Sequence, residues 1–213
     1  SSLGTMLFKD ISSGSSSSSP TKFAIMGSTL FFRATDSNGR ELWKSDGTVA
    51  GTVMIKDINS GWPNSSPDLL IAVGNTLYFN ASDGTNSYEL WKSDGTATGT
   101  VMVKDINPSG DSHPEDLTAI GNTLFFQAYD PTNKEALWKS DGTTAGTVMV
   151  KDTYTLDIVT GMGPTHLTTV GNTLFFNGID NEIFGSELWK SDGTTAGTVM
   201  VKDINSGTSS TSP

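Results

Sequence analysis

No cysteine occurs in the 213 residues, so neither a disulfide framework nor a thiolate metal site holds this fold together. Positive charge is scarce as well: 13 Lys and Arg stand against 23 Asp and Glu, for a formal net charge of −10. Nucleic-acid partners draw their affinity from Lys and Arg neutralising phosphates, and anionic membrane surfaces attract the same cations, so both are disfavoured. No apolar run reaches the ~20 residues that a membrane-crossing helix needs, and membrane insertion is not expected. The sequence opens on Ser1 rather than Met, the start expected of a processed secreted product or of a segment trimmed from a longer chain. What remains is a chain rich in Gly, Ser and Thr with only 17% charged residues, the composition of an ordered, turn-rich β protein.

The chain is an array. Glu-Leu-Trp-Lys-Ser-Asp-Gly-Thr stands at residues 41–48, 89–96 and 187–194, with a near copy at 136–143 where Ala136 replaces the Glu and Glu135 lies one place early. Its tryptophans, Trp43, Trp91, Trp138 and Trp189, are 48, 47 and 51 residues apart, and a second marker, Pro20, Pro67, Pro114, Pro164 and Pro213, keeps the same period. These markers divide a single repeat domain, 1–213, into a partial repeat (1–19) and four full repeats (20–66, 67–113, 114–163 and 164–213).

Each repeat reads as four short strands. In the third, strand A is 117–120, the two-residue turn Gly121-Asn122 follows, strand B is 123–128, a loop with Asp130, Pro131 and Asn133 leads to strand C at 136–140, and 141–146 turns into strand D at 147–151. Within strands both faces are apolar: Leu77 and Phe79 point opposite to Tyr78, and Val101 and Val103 opposite to Met102. A strand with one wet face alternates apolar with polar, whereas a small sheet covered on both sides does not. The expected fold is therefore all-β, a propeller-like array of four four-stranded antiparallel blades, with an open superhelical stack of the same sheets as the alternative. Residues 4–11 are a fifth copy of strand D, so the array carries one extra N-terminal strand; Thr5, Met6, Leu7, Phe8 and Lys9 are its candidate assembly segment.

The eight-residue motif resembles that of the ELWxxDGT repeat family of bacterial secreted and surface proteins, and the resemblance covers essentially the whole chain. It implies an extracellular or cell-surface location, often in long arrays, and rarely an assigned biochemical role.

Candidate sites follow from residue type. Trp43, Trp91, Trp138 and Trp189 are read as packing residues between adjacent sheets in preference to sugar-stacking platforms; Trp62, in a Gly-Trp-Pro loop outside the pattern, is the better candidate for contact with a partner. The loops between strands B and C gather oxygen ligands: Asp36, Asn38 and Glu41; Asp83, Asn86 and Glu89; Asp130, Asn133 and Glu135; Asp180, Glu182 and Glu187. Calcium favours such groups and is the one cofactor in view, although the spacing differs in every copy and Asp and Asn also build turns unaided. Asn64 and Asn80 head formal N-glycosylation triplets, and the Ser-rich D–A loops suit O-glycans.

No enzyme is expected. The Ser-Asp-Gly-Thr segments resemble the Asp box of sialidase-type propellers, but only Arg33 and Arg40 are present to bind a substrate carboxylate. His113 and His166 belong to no triad or metal pattern and are read as solvated loop residues. The leading expectation is an extracellular structural or adhesive module that assembles with itself through the extra strand, toward a filament. The alternative is a lectin-like propeller that binds surface glycans or another ligand.

Overall fold

The computed structural model describes residues 7–61, 64–152, 163–179 and 185–203, and among these the secondary structure is entirely β. Four sheets of four antiparallel strands follow one another along the chain, each a simple meander. The first sheet is β1 (Thr21–Met26), β2 (Thr29–Asp36), β3 (Gly39–Ser45) and β4 (Val53–Lys56). The second is β5 (Asp68–Val73), β6 (Thr76–Ser82), β7 (Tyr88–Ser93) and β8 (Val101–Lys104). The third is β9 (Glu115–Ile120), β10 (Thr123–Asp130), β11 (Lys134–Ser140) and β12 (Val148–Lys151). The fourth is β13 (Thr165–Val170), β14 (Thr173–Ile179), β15 (Ser186–Ser191) and β16 (Val199–Lys202).

Local chemistry sets the turns. Gly27, Gly74, Gly121 and Gly171 open the two-residue hairpins between the first and second strands with φ between 57° and 60°, a conformation glycine adopts without a Cβ clash. Each first strand is bulged near its start, where the register slips. There Lys22, Leu69, Asp116 and His166 hold φ between 52° and 58°, so the same left-handed residue recurs in every copy although its identity does not.

Strand alternation then divides every sheet into two apolar faces, and the pairing Phe79↔Trp91↔Met102 marks one of them. One face carries Leu77, Phe79, Trp91 and Met102 and packs on Phe31, Leu42, Ile55 and Ile58 of the sheet before. The other carries Val73, Tyr78, Leu90 and Val103 and packs on Leu124, Phe126 and Trp138 of the sheet after. Phe125, Leu137 and Val150 meet Leu174, Phe176 and Trp189 in the same way. Stacking identical faces front to back explains why one sequence serves in series: each repeat offers a back to its predecessor and a front to its successor.

Neighbouring sheets meet most closely along their first strands, β1 with β5, β5 with β9 and β9 with β13, the innermost line of a propeller. The first and fourth sheets make no comparable contact, so the four blades form an open arc. The ends show it. Val170 and Val201, on the front of the fourth sheet, are 68% and 44% exposed, where the equivalent Val73 and Val103 are 6% and 3% exposed. Phe23 and Ile25, on the back of the first sheet, are 60% and 70% exposed.

The expected fifth strand D is only partly described, since Thr5 and Met6 lie outside the described residues. From Leu7 to Asp10 the chain makes no ladder, which corrects the expectation of a strand there. Ile11 packs beneath Phe32 and Trp43, and the Lys9 ammonium donates to the carbonyl oxygens of Val49 (3.1 Å) and Thr52.

Candidate functional site

The repeated motif is where the chain concentrates its chemistry, and each of its positions has a structural partner. Trp43, Trp91, Trp138 and Trp189 are between 3% and 7% exposed; Trp91, Trp138 and Trp189 are buried between sheets, whereas Trp43, on the outer face of the first sheet, is buried beneath Ile11. None of their indole N–H groups finds an acceptor, so the rings contribute area rather than hydrogen bonds. Lysine ammoniums from the preceding sheet lie over three of them: Lys56 at 6.0 Å from Trp91, Lys104 at 5.6 Å from Trp138 and Lys151 at 5.2 Å from Trp189.

Those lysines also tie the blades together. Lys56, Lys104 and Lys151 donate to the carbonyls of Thr100, Thr147 and Thr198 in the next sheet, at 2.8, 2.9 and 3.0 Å. The motif lysines form a second row: Lys44, Lys92 and Lys139 donate to the carbonyls of Gly95, Gly142 and Gly193 at 2.7, 2.7 and 2.8 Å. Lys9 reaches Thr52 as Lys56 reaches Thr100, so the N-terminal segment places its ammonium where a preceding blade's fourth strand would place one.

The Ser-Asp-Gly-Thr-x-x-Gly turn is self-contained. In the second blade Thr96 donates both its N–H and its hydroxyl to Asp94 Oδ1, the Gly99 N–H donates to Thr96 Oγ1, and the Ser93 and Thr100 hydroxyls share a buried hydrogen bond of 2.7 Å. The hydroxyl and amide of the following Thr hold Asp46, Asp94, Asp141 and Asp192 below the usual carboxylate range. Gly51, Gly99, Gly146 and Gly197 are obligatory for a steric reason: a Cβ at any of them would fall within 2.0–2.1 Å of the Asp carboxylate. This Asp-box-like element is thus a folding unit in all four copies.

The B–C loop residues do not come together as cation sites. The loop's own donors occupy each of the three described aspartates: Asp36 accepts from the Asn38 N–H and amide, Asp83 from the N–H groups of Thr85 and Asn86 and the Asn86 amide, and Asp130 likewise from Thr132 and Asn133. An Asn that turns its NH₂ to the carboxylate is a turn former and offers its donor face to the centre where a cation would sit. Glu41 and Glu89 face elsewhere, fully buried, and accept from the D–A loop: Ile58 N–H, Ser65 N–H and Ser65 hydroxyl for Glu41; Ile106 N–H, Ser112 N–H and Ser112 hydroxyl for Glu89. Burial pushes both carboxyls up, Glu89 to about 7, with the Asp105 carboxylate adding to the rise and the Ser112 hydroxyl opposing it. Among the described residues no three His, Asp or Glu side chains gather as a metal-holding group, and the described aspartates and Glu41 and Glu89 are engaged in turns and latches. Asp180 and Glu182, like Trp62, lie outside the described residues; Glu187 is fully buried.

Asn64 is exposed, with Oδ1 accepting from the Arg40 N–H at 2.7 Å. Asn80 lies half-buried within β6, with Oδ1 buried and its NH₂ toward the Pro114 carbonyl at 3.5 Å. His113 is an exposed loop residue 3.3 Å from Asp111, whereas His166 stands in β13 rather than in a loop.

The third blade departs from the others. Ala136 takes the place of the latching glutamate, and Glu135 accepts instead from the Gly163 N–H at 3.1 Å. Beside it opens a cavity of about 240 Å³ lined by His113, Glu115, Gln127, Tyr129 and Glu135. Gln127 is 7% exposed and its Oε1 has no hydrogen-bond partner. The loss of one motif glutamate was visible in the sequence, but the cavity was not, because its wall joins residues from three separate segments.

No protein-family model matches the chain, and no curated protein matches it. Similarity to solved structures is to β-propellers. Puromycin hydrolase, as the S511A mutant complexed with PGG, superposes with a TM-score of 0.57 at 15% identity, over 90% of this chain and 29% of that one. A structure described as TolB from Agrobacterium tumefaciens does so with a TM-score of 0.52 at 11% identity, over 92% of this chain and 70% of that one. A puromycin-hydrolyzing peptidase from Mycobacterium tuberculosis gives 0.50 at 13%, over 87% of this chain and 29% of that one. The chain thus spans under a third of the hydrolase chains it resembles, and at these identities the likeness is one of fold.

Proposed function

We propose that this chain is an extracellular structural or adhesive repeat module, without enzymatic activity, whose blades act in series. The observation that carries the reading is that, in the first and second blades, the motif's polar groups are engaged within the array: Asp by its own turn, Glu by the D–A loop, Lys by the carbonyls of the next blade. A motif copied with its chemistry turned inward is selected for continuity rather than for catalysis. The resemblance to the ELWxxDGT repeats supports a secreted or surface location, and the acidic surface agrees with a soluble extracellular chain. Antibody labelling of intact cells that make the protein, together with an attachment assay on cells from which it is deleted, tests this. Labelling only after permeabilisation, or unchanged attachment, would count against it.

The third-blade cavity favours one further reading, a lectin-like ligand site. An unpartnered amide oxygen beside two carboxylates suits a ligand that donates, such as a sugar hydroxyl or an amine. A glycan and amine panel probed with the intact chain and with Gln127→Ala separates the two: binding lost in the variant supports a ligand site, and no binding returns the balance to a structural role.

A further inference from the structure

The two ends of the arc are the two halves of a contact that the molecule already makes three times. On the front of the fourth sheet, Val170 and Val201 are largely exposed and Phe175 and Leu188 are half-buried, while Lys190 and Lys202 extend into solvent. Their equivalents in the third sheet, Phe125, Leu137, Val150, Lys139 and Lys151, are the surface and the two clamps that receive the fourth sheet. On the back of the first sheet Phe23 and Ile25 are exposed, Leu30 and Met54 are half-buried, and Phe32 and Trp43 are buried beneath Ile11 of the N-terminal segment, which an incoming blade would have to displace. The matching Leu77, Phe79, Trp91 and Met102 of the second sheet are what such a front packs against.

We infer that the front of the fourth sheet seats on the back of the first sheet of a second copy of this chain, reproducing the internal blade contact between molecules. Lys202 then donates to Thr52 O and Lys190 to Gly47 O, as Lys151 and Lys139 do to Thr198 O and Gly193 O. Thr52 O is already taken by Lys9, so the N-terminal segment occupies one clamp of the incoming blade and competes with it. The self-association surface is thus a sheet face, and the spare N-terminal segment is its placeholder rather than its adhesive. Two copies joined at both ends close a ring of eight blades, within the ~4–8 of known propellers; joined at one end each, they propagate as a fibre.

The inference rests on the reading of blades acting in series and narrows it to one surface. Sedimentation velocity of the intact chain over a concentration series is the test. Self-association is expected, and Ile25→Asp and Val201→Asp, both at exposed positions, are each expected to weaken it at least tenfold without moving the melting temperature. Mixing the two variants is expected to restore a one-to-one pair, because each retains the face that the other lacks. Lys9→Ala is expected to tighten association roughly tenfold by freeing the Thr52 carbonyl. If the wild type associates but neither face variant weakens it, this surface is wrong while assembly in series stands. If the wild type is monomeric throughout, both fall. Weaker association in Lys9→Ala would overturn the placeholder role.

Discussion

At the scale of single residues, the latching glutamates and the turn aspartates pull stability in opposite directions with pH. Glu89 has a folded value of about 7 against an ordinary 4.5. Between the two, the unfolded chain has released a proton that the folded chain keeps, so stability falls as pH rises through that window and levels off above it. The aspartates held low by their threonines contribute stability that is fully present above the ordinary value of 3.8 and is lost as pH falls below it. Greatest stability is therefore expected near pH 4–5, and Glu89→Gln should flatten the decline toward pH 7; urea melts at stepped pH read both effects. Gly99→Ala drives a methyl group into the Asp94 carboxylate, and a loss of about 1–3 kcal/mol in the same assay is expected. The tryptophans and the glycine turns were legible from spacing alone. Reading Glu as a cation ligand failed because its partners, the Ser65 and Ser112 hydroxyls, lie 24 and 23 residues downstream. A serine recurring two places before the repeat proline was the available sign.

At the scale of strands and sheets, the lysine rows decide how blades are joined. Lys104→Met keeps the aliphatic stem but loses the hydrogen bond to Thr147 O and the contact with the Trp138 ring. A loss of about 1–2 kcal/mol is expected. Lys202→Met removes the exposed equivalent and should leave the melt of the dilute chain unchanged, an internal control on the claim that the clamp acts between sheets. The meander and its register were written in the alternation of Leu77, Tyr78 and Phe79, which leaves one way to bury both faces. Strand ends were less legible: β10 runs on to Asp130 and β11 begins at Lys134, because the Asp130 side chain caps the hairpin and carries the ladder past the last apolar residue. The bulges were invisible, since Lys22, Leu69, Asp116 and His166 share a backbone conformation and no chemistry.

At the scale of the whole molecule, stability should scale with the number of blades. Removing the fourth repeat uncovers Phe125, Leu137 and Val150 but leaves two complete interfaces. The shortened chain is expected to fold, with a denaturant dependence smaller by roughly a quarter, as surface exposed on unfolding shrinks in proportion. Circular dichroism across a guanidinium titration measures it. Whether the arc closes was beyond the sequence, because closure depends on the angle between sheets and every repeat offers the same faces whatever that angle is. The lysine clamps land on main-chain oxygens, which every amino acid provides, so this part of the contact leaves the receiving residues free to vary while the apolar face and its tryptophan are kept. Genes for such arrays can gain, lose or shuffle units by unequal crossing-over, and the new neighbours will dock without a compensating mutation.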